Sequence, residues 1–154
     1  MEDIETILND FSQSTGVNTI VVASRSGIPI QTFAPNDSED IKEALSAAAS
    51  GIVHISEYVS DLLKFEGVRD IQINVPGDRH IVAVSAGKNA LVMAVLEGES
   101  YVSQAITLVF IAQKIERILA KNPSLLPPGD KYLPDWDEDF DENLIIPDLP
   151  DEED

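Results

Sequence analysis

A chain of 154 residues, 44% of them hydrophobic, is long enough for one domain with a proper core and too short for two of ordinary size. The absence of cysteine excludes a disulfide framework, thiolate metal sites and a cysteine nucleophile together. A net charge of −18 repels nucleic acid and anionic membrane, so neither is expected as a direct partner.

The N-terminus, Met1-Glu2-Asp3-Ile4-Glu5, is acidic and has no basic region followed by an apolar run, so no secretory signal is expected there. No apolar stretch reaches the length of roughly 18 residues that a bilayer requires. Together these features point to the cytoplasm. Ile4, Ile7, Leu8 and Phe11 recur at helical spacing and predict an amphipathic first helix, with Gly16 as its stop. Residues 17–24 are β-branched and apolar on both faces, the pattern of an interior strand. Arg25-Ser26-Gly27 turns the chain, and residues 28–33 return as a hairpin partner. Pro29 cannot donate to a ladder and places that strand at a sheet edge.

Asn36 and Glu39 are spaced as a capping pair for a long helix reaching residue 63. Its apolar stripe comprises Ile41, Leu45, Ala48, Ile52, Ile55, Val59 and Leu62, and its middle, Ala47-Ala48-Ala49-Ser50-Gly51, is made of small residues. Small side chains let another backbone approach closely. That fits a helix lying tight on its own sheet, and equally one that also meets its copy in a dimer.

Residues 70–75 alternate strictly, which predicts a strand with one buried and one polar face. Residues 80–86 and 90–96 complete a meander through turns at Pro76-Gly77-Asp78 and Gly87-Lys88-Asn89. A last helix spans about 100–120. The reading is an α/β (α+β) domain of order α-β-β-α-β-β-β-α, a five-stranded, mostly antiparallel sheet with helices on its faces. On the last helix, Phe110 falls on a polar face beside Lys114 and Arg117, which marks that face as a candidate contact spot.

Residues 121–154 hold twelve acids against Lys121 and Lys131, whereas residues 1–120 hold sixteen acids against eight bases. That shift divides the chain into a domain, 1–120, and an acidic, largely non-globular tail, 121–154. The tail nevertheless interleaves its carboxylates with large apolar side chains, among them Trp136, the one tryptophan, and Phe140. Such a pattern suggests a docking segment, with aromatic anchors for affinity and carboxylates for steering. Its target is either a partner or its own domain at Phe110, Lys114 and Arg117.

Chemical motifs are absent where they would matter. There is no Gly-x-Ser-x-Gly elbow, no P-loop and no Gly-x-Gly-x-x-Gly turn. His54 and His80 have no partners at ligand spacing, so each is assigned a structural role. Asp135, Asp137, Asp139, Asp141 and Asn143 match the start of a calcium loop, but Phe140 stands where glycine is needed and Ile146 where the bidentate Glu belongs. No catalytic residue, cofactor or metal is expected.

In its order of elements the sequence resembles the roadblock/LC7 superfamily, over about residues 3–120. The likeness is carried by the hairpin at 17–30, the long Ala-rich helix, and the strand Gly87-Lys88-Asn89-Ala90-Leu91-Val92-Met93-Ala94-Val95 before the last helix. The resemblance implies a dimer, formed by pairing the long helices and joining the strand that follows them. On this sequence those elements hold Ala48, Ile52 and Ile55, and Ile71, Gln72 and Ile73. It further implies a non-enzymatic scaffold or regulator for a Ras-like small GTPase. The alternative is a homodimeric structural adaptor, dynein-associated or otherwise, with no nucleotide-dependent partner.

Overall fold

The computed structural model describes residues 2–128. Helix α1 (Ile4–Thr15) is followed by strands β1 (Ile20–Ser24) and β2 (Pro29–Phe33) and then by helix α2 (Glu39–Leu62). Strands β3 (Asp70–Val75), β4 (Arg79–Ala86) and β5 (Ala90–Glu97) lead into helix α3 (Tyr101–Lys121) and a short 3-10 turn, Pro123–Leu125. The five strands lie in the order β2-β1-β5-β4-β3, and every pair is antiparallel. The first hairpin therefore joins the meander through β1 and β5, with Val22 opposite Val92. Pro29 does lie in an edge strand.

Local chemistry sets the helix ends. Asp3 caps α1, its carboxylate accepting a hydrogen bond from the Thr6 amide at 2.8 Å. That hydrogen bond holds the Asp3 carboxyl below its ordinary pKa. The stabilisation is thus present above the usual carboxylate range and is lost as pH falls through the lowered value. Gly16, at φ 77°, closes α1 with its amide on the Ser12 carbonyl. For α2 the cap is Ser38, whose hydroxyl accepts from Ile41, and not the Asn36–Glu39 pair. Helix α2 ends in a Schellman motif: Phe65 N–H bonds Ser60 C=O and Lys64 N–H bonds Asp61 C=O, with Lys64 at φ 61°.

The sheet separates two apolar layers. On one face α1 and α3 pack Leu8, Phe11, Leu108, Ile115 and Leu119 against Ile20, Val22, Val84, Val92 and Leu96. Leu126, beyond the last turn, is buried in that same layer. On the other face, α2 meets Val21, Ala23, Ala83, Leu91 and Met93. The second layer is thin because α2 turns small residues to the sheet: Ser46, Ala49, Ser50 and Val53 are buried.

The close approach has a lock at the first hairpin. Gly27 sits at φ +91°, and a side chain there would lie 3.1 Å from the Ala47 Cα and 3.2 Å from the Ser50 Cβ. Ser50 donates to the Arg25 carbonyl at 2.5 Å, and the Arg25 guanidinium pairs with Glu57, about two turns further along α2. Gly27→Ala meets both a left-handed backbone and α2 itself, and is expected to cost about 1–3 kcal/mol of unfolding free energy in urea titration.

Candidate functional site

With small residues facing the sheet, much of the stripe of large ones on α2 faces out, while Leu45 and Ile52 are half-buried and Leu45 packs into the sheet layer. Ile41, Ile55, Tyr58, Val59 and Leu62 are exposed, Ile55 at 68% of its full area. Leu63 and Phe65 continue the patch past the helix end, set there by the Schellman turn. Exposed apolar side chains grouped in this way on one helix face and the turn after it form a candidate contact surface.

The α2–β3 connection is tied down by Ser60, whose buried hydroxyl donates to the Gly67 carbonyl and accepts from the Gly67 amide, each at 3.2 Å. It leads directly to β3, which pairs only with β4 and leaves its other edge without a strand among the described residues. An open edge presents unpaired backbone groups to any strand that approaches. The expectation that one face of β3 is buried needs correction. Ile71 and Val75 are half-buried, Ile71 packing with the α2 layer, but Ile73 between them is 38% exposed, so the apolar face of β3 is only partly covered.

Of the residues expected at a dimer interface, Ala48, Ile55, Gln72 and Ile73 are exposed, while Ile52 and Ile71 are half-buried. Ile71 and Ile73 lie on the α2 side of the sheet, opposite Ala83 and Ile81. Gln72 lies on the other side, opposite Val82, and hydrogen-bonds Asn74 at 2.8 Å. The structure adds Tyr58, Leu63 and Phe65 to the patch. The sequence signal for Leu63 and Phe65 is that apolar residues carry on past the end of the helix, interrupted only by Lys64.

The second set of candidate residues is divided by the structure. Phe110 is 59% exposed on the outer face of α3, and Lys114 on the same face lies 3.8 Å from Glu2. Arg117 lines a groove of about 470 Å³ between the start of α1, β2 and the end of α3. Trp136 and Phe140, like the calcium-loop-like run, lie outside the described residues.

The histidines show no shared site. His80 is buried, its ring stacked on Tyr101 at 3.6 Å between centroids, with Nδ1 2.8 Å from Asn74 Oδ1. His54 is exposed, 3.4 Å from a Ser50 hydroxyl that already donates to a carbonyl and so is not set up as a nucleophile. Among the described residues no group of three His, Cys, Asp or Glu side chains could hold a metal ion. No helix among them is long and apolar enough to cross a membrane.

Comparison with known proteins agrees with the architecture. The Roadblock/LC7 domain from Streptomyces avermitilis superposes with a TM-score of 0.69 at 13% identity, covering 77% of this chain and 99% of that one. The gliding protein MglB from Thermus thermophilus gives 0.66 at 15% identity, over 77% and 89% of the two chains. MglB from Myxococcus xanthus gives 0.66 at 10%, over 77% and 95%. At such identities the likeness is one of fold. Comparison with curated proteins gives no match. The Roadblock/LC7 domain family matches residues 3–97, from the cap of α1 through β5, and the chain belongs to that family.

Proposed function

We propose that the protein is a non-enzymatic, dimeric scaffold or regulator that binds a Ras-like small GTPase in the cytoplasm. The observation that carries the reading is the outward apolar face of α2, continuous in sequence with the open edge of β3. A second copy related by a two-fold axis would cover α2 with α2 and extend the sheet across β3, so that one isologous contact answers both features. Ala48, Ile52, Ile55, Ile71 and Ile73 sit on the side of the sheet that such a contact uses, with Gln72 on the joining strand. Each large apolar side chain moved from water into that interface contributes on the order of 1.5–3 kcal/mol.

The GTPase partner rests on the family. A dimer of this kind offers a composite surface with no catalytic group of its own. The test is capture from an extract of the source cells by the immobilised full chain, with GDP or a non-hydrolysable GTP analogue added. Enrichment of a Ras-like GTPase in one nucleotide state is expected. Enrichment indifferent to nucleotide would favour the structural adaptor. Turnover by the purified chain, lost on a point substitution, would contradict both.

A further inference from the structure

The groove beside α3 is built from residues far apart in the sequence. Ile4, Ile30, Ile118 and Leu125 form its apolar lining, and Arg117 and Lys121 stand along its α3 wall. Both bases are exposed, and at 100° per residue they continue the outer stripe of α3 that carries Phe110 and Lys114. In a chain of net charge −18 this is a local reversal of sign: α3 holds Lys114, Arg117 and Lys121 against the single acid Glu116. The Glu116 side chain lies against Gly87 of the β4–β5 turn. The opposite wall, at the start of α1, carries Glu2, Asp3 and Glu5. Glu2 is paired with Lys114 across this end of the groove and Asp3 accepts from the Thr6 amide, so Arg117 and Lys121 are the bases that meet an acidic occupant.

The chain itself supplies such an occupant. Leu125 lines the groove, Leu126 is buried, and three residues later begins the segment 129–154. Within it, residues 135–142 hold six acids around Trp136 and Phe140. Trp136 is eight residues past Pro128, a reach of up to ~27 Å, whereas Lys121 and Phe110 are only ~16 Å apart along the helix. Tethering raises the effective concentration of the segment at the groove to roughly millimolar, so a weak contact suffices to fill it.

We propose that residues 129–154 fold back on their own domain. Trp136 enters the apolar groove, and the flanking carboxylates lie along Arg117 and Lys121. In this arrangement the segment occupies a face of the domain opposite to α2, leaving the proposed dimer contact free, and it holds the basic stripe of α3 away from other acidic partners.

As the one tryptophan, Trp136 reports on this directly in the full chain. Its emission is expected to be blue-shifted and poorly quenched by acrylamide relative to the urea-unfolded chain, and unchanged on dilution. The double substitution Arg117→Glu, Lys121→Glu should move emission and quenching to the unfolded values, with the circular dichroism of the domain intact. Arg79→Glu, an exposed base on β4, should leave them unchanged. Leu125→Asp tests the apolar lining by the same readout. A water-exposed Trp136 in the unmodified chain overturns the proposal. So does a buried Trp136 indifferent to both groove variants, or a blue shift that disappears on dilution, which would place the segment on a second copy.

Discussion

Ala48→Arg and Ile55→Asp are each expected to yield a folded monomer, seen by light scattering as 16.8 kDa in place of twice that mass. Both positions are exposed on the outer face of α2, so neither substitution disturbs the sheet-facing side of the helix. In a two-fold contact every substitution is met twice, once on each copy. Asp at position 55 forgoes the burial of two isoleucines and brings two carboxylates into an apolar interface, a loss of several kcal/mol. A dimer of micromolar Kd is held by only about 8 kcal/mol, so losses of that size separate it at working concentrations. Unfolding midpoints of these variants should stay near that of any monomeric form of the chain. If both variants remain dimeric and folded, α2 is not the contact.

The second large effect separates two neighbouring alanines. Ala49 is fully buried against Val21, Ala23, Leu91 and Met93, whereas Ala48 beside it points away from the sheet. Ala49→Leu forces extra carbons into a layer with no room for them, and α2 must lift or its neighbours must leave their rotamers. The expected cost is about 1–3 kcal/mol, read as a shift in the urea midpoint. Ala48→Leu should change stability by no more than about 0.5 kcal/mol. Both are measured in the Ile55→Asp background, where self-association does not add to apparent stability. Equal costs at the two positions, or a larger one at Ala48, would mean that α2 lies on the sheet by its other face.

That contrast also marks where the sequence was readable. Helix α1 was legible in full, because its stripe, its acidic start and Gly16 all specify the same element. Pro29 identified the edge strand through its missing donor. For α2, periodicity found the helix and the stripe but could not say which way the stripe faces. Hydrophobic patterning assumes that the most apolar side goes inward, and here close packing of Ser46, Ala49 and Ser50 on the sheet wins that face instead. On β3 the strict alternation names an apolar face, but the structure covers that face only in part, at Ile71 and Val75. At the start of α2, Asn36 and Ser38 both precede the helical run, and only backbone geometry selects Ser38 as the cap.

Strand order was beyond local pattern. Nothing in residues 17–24 or 90–97 states that β1 and β5 are neighbours, a pairing that closes the sheet across almost the whole domain. The groove at α3 was hidden for the same reason, since Ile4, Ile30, Ile118 and Leu125 meet only through the tertiary fold. Phe110, Lys114 and Arg117 were visible as an odd face of one helix. What the structure adds is the cavity at its end and the chain's own exit beside it.

The claim on which the proposed function depends is that a second copy covers the outer face of α2. Sedimentation equilibrium of the unmodified full chain across a dilution series tests it most directly. The account predicts a species of twice 16.8 kDa that persists into the low micromolar range and resolves to a single dissociation constant. A folded chain that stays at 16.8 kDa throughout would contradict it.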